Sequence, residues 1–206
     1  MSWIRRVWNW LIGWKIDPVY DTDKSDFHQD AEDQDFILTS DVIELNDTPT
    51  YVKKSKHHQE IYDYLYSIEI NRGIEWVVFH CTGTIYNVKV ESIIRYWREQ
   101  EGWNNPGYHF IIDENGHWTL LLDPNKVANG VRGINYKSIH ISCIGGITDE
   151  YGLTPAQEKT LKHFYKAISK KLPCVEFRGH SDFDSLKPFC PGYDVQELVQ
   201  KWEQCD

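Results

Sequence analysis

Residues 17–49 hold eleven Asp or Glu against a single Lys. Repulsion among its carboxylates keeps such a stretch extended. It divides the chain into a short N-terminal segment (1–16), an acidic linker (17–54) and a body (55–206) that must carry the fold. The spacing in Asp21-Thr22-Asp23-Lys24-Ser25-Asp26 invites calcium, but the run lacks the glycine and the closing Glu of an EF-hand loop, so a solvated tether is expected. Of the net charge of −9, this stretch contributes −10 and residues 1–16 contribute +3, which leaves the other 157 residues at −2. A body so near neutrality has no basic excess, which argues against a nucleic-acid partner. Five cysteines without a CxxC pair give no disulfide framework.

The N-terminal segment carries four of the nine tryptophans. Trp3, Ile4, Val7, Trp8, Leu11 and Trp14 share one side of a helical wheel, with Arg5, Arg6 and Asn9 opposite. The stripe is too short to span a bilayer. Polar residues interrupt it and no small-residue cleavage site follows, so it is not a clear signal peptide. Synthesis in the cytoplasm and later delivery are therefore expected. Three readings of this segment stay open: it lies on a membrane surface as an amphipathic helix, it packs on the protein's own body or a partner protein, or it is disordered.

From residue 55 onward, short apolar runs alternate with stretches of helical period. Helices are expected from His57 to Ile70, with Ile61, Leu65 and Ile68 on one face, and from Val90 to Gln100, with Ile93, Ile94 and Trp97 inward. Thr154-Pro155-Ala156-Gln157 is a capping box with proline at the first helical position, opening a helix that runs to Lys171. Asp194, with Glu197 three residues on, starts the last helix, Val195 to Gln204. Strands are expected at 75–79, 108–112, 118–122, 138–144 and 175–177. Asp113-Glu114-Asn115-Gly116-His117 makes a hairpin turn between the second and third. The expected fold is α/β of the α+β type, one domain with a central mixed β-sheet flanked by helices.

Two of these strands run into histidines. His80 closes Trp76-Val77-Val78-Phe79, His180 follows the strand at 175–177, and Cys190 precedes the last helix. Two imidazoles and a thiolate make three protein ligands, the set of a zinc site that keeps a fourth position open for water; zinc lowers the pKa of such water to ~7. Each residue alone also reads as an ordinary core or surface side chain. His109 and His140 read as hydrogen-bonded structural residues and His117 as a solvated turn residue. Asp182 either orients a ligand imidazole or caps its own loop.

The surrounding words narrow the choice. Phe79-His80-Cys81-Thr82, Gly107-Tyr108-His109-Phe110-Ile111-Ile112, Ser138-Ile139 with Gly145-Gly146-Ile147, Leu153-Thr154-Pro155-Ala156-Gln157, Gly179-His180-Ser181-Asp182 and Cys190-Pro191-Gly192-Tyr193-Asp194 follow one another in order. Over residues 74–202 the chain resembles the zinc-dependent N-acetylmuramoyl-L-alanine amidases of the phage-lysozyme and peptidoglycan-recognition-protein type. The resemblance implies a hydrolase that cuts peptidoglycan between N-acetylmuramic acid and L-alanine of the stem peptide. It implies Zn2+ on His80, His180 and Cys190, with Tyr108 as catalytic tyrosine. The family's assisting lysine commonly stands two residues before the ligand cysteine; Pro188 occupies that place here and Lys187 stands one further back. Either the longer His180–Cys190 spacing returns Lys187 to the site, or another donor replaces it. The loop 129–135 falls where the family has a groove-lining segment, often with a histidine, which this chain lacks.

The implied setting is the cell wall, in the periplasm or outside the cell, reached after delivery by a phage endolysin or a bacterial relative. Two alternatives come from other classes. One is a non-catalytic peptidoglycan-binding protein, a kind that often loses the cysteine this chain retains. The other is a virion or structural component docked through Trp3–Trp14.

Overall fold

The computed structural model describes residues 53–204; the amphipathic segment 1–16 and all but the last two residues of the acidic linker lie outside the described residues. Within the described residues, six strands form one mixed sheet: β1 (Lys53–Ser55), β2 (Trp76–Cys81), β3 (Phe110–Ile112), β4 (Trp118–Leu120), β5 (Ser138–Cys143) and β6 (Glu176–Gly179). Their spatial order is β1-β4-β3-β5-β2-β6. β3, β5, β2 and β6 run parallel, while β4 is antiparallel to both of its neighbours, β1 and β3. The helices are α1 (Gln59–Ser67), α2 (Val90–Glu99), α3 (Pro155–Lys171) and α4 (Val195–Gln204).

The sheet separates two cores through the period-2 alternation of its strands. Val77 and Phe79 of β2, Ile139 and Ile141 of β5, and Phe110 and Ile112 of β3 point to one side. There they meet Ile61 and Leu65 of α1, Leu161, Phe164 and Ile168 of α3, and Trp202 of α4. Ile111 of β3 points to the other side, where Ile144 and Leu121 join Ile93, Ile94 and Trp97 of α2. Each of these side chains contributes about 1.5–3 kcal/mol by leaving water. The same alternation turns His80, between Phe79 and Cys81, away from the larger core and toward the α2 side.

Polar caps fix the strand and helix ends near the site. The expected capping box is present: the Gln157 amide N–H donates to Thr154 Oγ1 at 3.1 Å, and the Thr154 N–H to Gln157 Oε1 at 3.0 Å. The buried Gln157 side chain also donates to the carbonyls of Ile144 (2.9 Å) and Ile112 (3.3 Å), so the start of α3 is tied to the ends of β3 and β5. Asp194 Oδ1 accepts from the N–H groups of Gln196 and Glu197, capping α4 as expected.

Several boundaries differ from the sequence reading. α1 stops at Ser67, because Ile68 is extended (φ −100°, ψ 150°). Tyr108 and His109 stand just ahead of β3 rather than within it. β1, a three-residue edge strand rich in lysine, carries no apolar alternation to announce it. His117 is half-buried rather than solvated, its Nδ1 lying 3.2 Å from Asp113 Oδ2 across the hairpin turn. None of the described helices is long and apolar enough to cross a membrane.

Candidate metal centre

Parallel register brings the two histidines together. β2 pairs with β6 so that Phe79 lies opposite Gly179; the next residues are His80, still in β2, and His180, which opens the 3-10 turn after β6. They emerge at the carboxyl ends of adjacent parallel strands, the usual place for a ligand crevice in such sheets. Their Nδ1 atoms are 3.1 Å apart. Cys190 arrives on the loop that follows, held by the Ser181 N–H donating to the Cys190 carbonyl at 2.9 Å. Its Sγ lies 3.9 Å from His80 Nδ1 and accepts from the Cys81 N–H at 3.4 Å. The Cys190–Pro191 peptide is cis. Gly146, at φ +86°, lets the loop after β5 pass over Cys81, because a Cβ there would stand 2.5 Å from the Cys81 sulfur.

The arrangement fits a zinc ion. Tetrahedral ligation at ordinary bond lengths requires edges of ~3.3 Å between two nitrogens and ~3.6 Å between nitrogen and sulfur. The N–N contact of 3.1 Å and the N–S contact of 3.9 Å lie within a few tenths of an ångström of those edges. Two imidazoles and a thiolate suit zinc rather than a hard cation. Among the described residues, His80, His180 and Cys190 are the one group of three or more potential ligands whose donor atoms converge, all within 4.8 Å of one another.

Protonation states favour the same reading. Burial, together with the neighbouring His140 and His180 rings, holds His80 well below the usual imidazole range. Burial lowers His180 to about 4, with Asp184 opposing and Lys187 assisting the shift. Both rings are therefore neutral at pH 7 and can offer a lone pair. The hydrogen-bonded Cys81 thiol and burial push the Cys190 thiol up, so a metal must displace its proton to bind there.

Around this trio the structure places the other expected residues. Tyr108 is half-buried; its ring centroid is 5.0 Å from that of His80, and its other flank meets Trp97 edge-on at 5.2 Å. Burial, reinforced by the Cys190 and Cys81 thiols, raises its phenol well above the ordinary value, so it is a proton donor at neutral pH. Lys187 is exposed; its charge assists the lowering of His180 and partly opposes the rise of the Cys190 thiol. Asp182 caps its loop: its Oδ2 accepts from the Gly179 N–H at 2.9 Å. The carboxylate facing His180 Nε2 is instead Asp184, at 3.8 Å.

Three more residues were not singled out as part of the site. His140, buried in β5, has its Nδ1 3.0 Å from His80 Nε2. His109 Nδ1 accepts from the His140 N–H at 2.9 Å, which leaves its Nε2 proton for the Lys126 carbonyl at 3.0 Å. Arg72 donates to the carbonyls of Pro124 (2.6 Å), Asn135 (3.2 Å), Tyr136 (2.8 Å) and Ser138 (2.7 Å), locking the segment that leads into β5. Their partners lie tens of residues away, so no local pattern marks them.

Comparison with known proteins gives a consistent picture. Residues 70–193, more than half of the chain, match the family model described as N-acetylmuramoyl-L-alanine amidase. The chain is 32% identical over 135 residues to the endolysin of Enterobacteria phage T3, covering 63% of this chain and 87% of that protein. It is 31% identical over 133 residues to the endolysin of Escherichia phage T7, covering 62% and 86%. Among solved structures it is similar to an endolysin N-acetylmuramoyl-L-alanine amidase from Clostridium intestinale, with a TM-score of 0.57 and 25% identity over 66% of this chain and 87% of that one. The chain belongs to the N-acetylmuramoyl-L-alanine amidase family, and is a peptidoglycan hydrolase of that class.

Proposed function

We propose that the chain cuts the amide bond between N-acetylmuramic acid and L-alanine with a zinc ion held by His80, His180 and Cys190, and with Tyr108 and Lys187 as donors to the reacting carbonyl. The observation that carries this reading is the meeting of two neutral Nδ1 atoms and the Cys190 sulfur at the carboxyl ends of β2 and β6. When bound there, zinc supplies Lewis acidity at the substrate carbonyl and a nucleophile at neutral pH, by lowering the pKa of water to ~7.

The chain's own residues do the rest. Tyr108, kept protonated by its buried setting, donates to the oxyanion that forms when the carbonyl is attacked. The Lys187 ammonium adds positive charge on the side of His180 and Cys190. Such donors act on charge that develops only in the transition state, where a low-dielectric site magnifies their effect. The departing L-alanine nitrogen needs a proton, and in this reading the Tyr108 hydroxyl relays it. Asp184, facing His180 Nε2, keeps that ring oriented with Nδ1 toward the cluster.

In this reading residues 55–206 form the amidase domain and residues 17–54 tether it to the Trp-rich segment 1–16. That segment lies on a membrane surface or a partner protein, and the enzyme acts on the cell wall after delivery. Incubation with purified muropeptides tests the chemistry. Mass spectrometry is expected to find a free stem peptide ending in the L-alanine amine beside the intact muramic acid carboxylate. Cleavage at any other bond would overturn the assignment. Co-sedimentation with anionic liposomes, of the full chain against one beginning at residue 50, tests the membrane role; equal pelleting would remove it.

A further inference from the structure

His140 sits where a strand residue between two buried isoleucines has no evident reason to be polar. It is fully buried in β5, between Ile139 and Ile141. Its Nδ1 is 3.0 Å from His80 Nε2, its ring stacks near that of His109 at 5.8 Å and 10°, and its Nε2 has no hydrogen-bond partner among the described residues. A buried polar atom left unpaired costs stability and calls for a reason other than folding.

Gly130 supplies a second, independent observation. A Cβ on Gly130 would stand 2.4 Å from His140 Nδ1 and 2.6 Å from its Cγ, closer than any real side chain comes. The glycine is not needed for its backbone angles, since its φ lies outside the left-handed region. The loop at residue 130 is therefore open for one purpose, to let the His140 ring lie against it.

The tautomers follow from the geometry. A ring that gives its Nδ1 lone pair to a metal carries its single proton on Nε2. For His80 that proton points at His140 Nδ1, which must then be the acceptor, and the His140 proton is forced onto the unpaired Nε2. In the opposite arrangement His140 would donate, and the His80 proton would sit on Nδ1, in the site itself, 3.1 Å from His180 Nδ1.

Resting on the zinc reading above, we propose that His140 is a positioning residue for the metal: its Nδ1 accepts the His80 Nε2 proton, holds the ring in the tautomer that ligates through Nδ1, and can do so only because residue 130 is glycine. Ligating histidines generally need such an acceptor behind them, and its loss lowers metal affinity about 10–100-fold.

Zinc dissociation constants from chelator competition at pH 7.5 test this on the full-length protein, with the melting of the metal-free forms followed in parallel. His140→Leu fills the space but cannot accept, and is expected to bind zinc about 10–100-fold more weakly while the metal-free protein still melts cooperatively. His140→Asn places Oδ1 near the former Nδ1 and is expected to restore affinity close to wild type. Gly130→Ala, which touches no ligand, is expected to weaken zinc binding by displacing the His140 ring. Wild-type affinity in His140→Leu or in Gly130→Ala would overturn the proposal, and so would a loss in His140→Asn as large as in His140→Leu, since packing alone would then explain it. Failure of the wild-type protein itself to bind zinc would overturn the metal reading as well, so the two failures are distinguishable.

Discussion

At the scale of single residues, the two histidines and the cysteine differ in what metal binding asks of them. His80 and His180 are held in the neutral form well below pH 7, whereas the Cys190 thiol is pushed up. Zinc uptake at pH 6, where zinc-bound water with a pKa of ~7 stays largely protonated, is therefore expected to release about one proton per ion, from Cys190, and affinity should rise with pH. Calorimetry in buffers of different ionisation enthalpy measures the number directly; release of two or more protons would show that a histidine is charged before binding. Tyr108 makes a separate test, because in the proposed mechanism its hydroxyl acts only on the transition state. Tyr108→Phe is expected to lower kcat about 10²–10³-fold with KM little changed, and a fall confined to KM would reassign it to substrate binding.

What could be read from the sequence at this scale depended on whether the signal was local. His80 and His180 each close a strand-like run, and Cys190 stands at a helix entrance, so their positions could be read and their convergence follows from register. Asp184 and His140 could not be read as their partners. Asp184 shares its loop with the better-looking Asp182, and His140 touches His80 only across two strands, 60 positions away in the chain. Arg72 lies in a stretch without pattern, and its four carbonyl acceptors come from residues 124–138.

At the scale of elements, caps and periodicity carried the helices, while the strands were legible as apolar runs whose pairing was not. Thr154-Pro155-Ala156-Gln157 could be recognised as a helix start, but not the second task of Gln157, which satisfies the carbonyls of Ile112 and Ile144 at the base of the site. Gln157→Ala loses one half of the capping box and removes the side-chain donor from two buried carbonyls, of which Ile112 keeps the Ile144 N–H at 2.8 Å, so it is expected to cost about 1–3 kcal/mol. Urea unfolding measures it, and a change below ~0.5 kcal/mol, the size of an ordinary surface substitution, would mean that those carbonyls find other donors. The edge strand β1 stayed hidden because Lys53-Lys54-Ser55 offers no alternation, and only its pairing with β4 defines it.

At the scale of the whole molecule, buried histidines set the response to acid. Burial lowers His109 to about 3 and His180 to about 4. A histidine whose folded pKa lies below its unfolded value of ~6.5 is charged more readily when unfolded. Stability is thus fully present above pH ~6.5 and falls as the pH drops toward the folded values, by up to ~1.4 kcal/mol per pH unit for each such group. Metal-free protein is expected to lose stability steeply between pH 6.5 and 4, and His109→Gln should flatten that slope by about one proton; denaturant titrations at several pH values read it, and an unchanged slope would contradict the assignment.

The molecule as a whole is a family fold preceded by an acidic stretch, and its central claim is that one zinc ion on His80, His180 and Cys190 makes it an amidase. Back-titration of zinc into chelated protein, with muropeptide cleavage followed at each addition, tests that claim most directly. Activity should be absent without metal, rise linearly to one equivalent and then level off, and Cys190→Ala should remain inactive at the same zinc concentrations. Cleavage that persists in the metal-free protein, or that survives in Cys190→Ala, would contradict it.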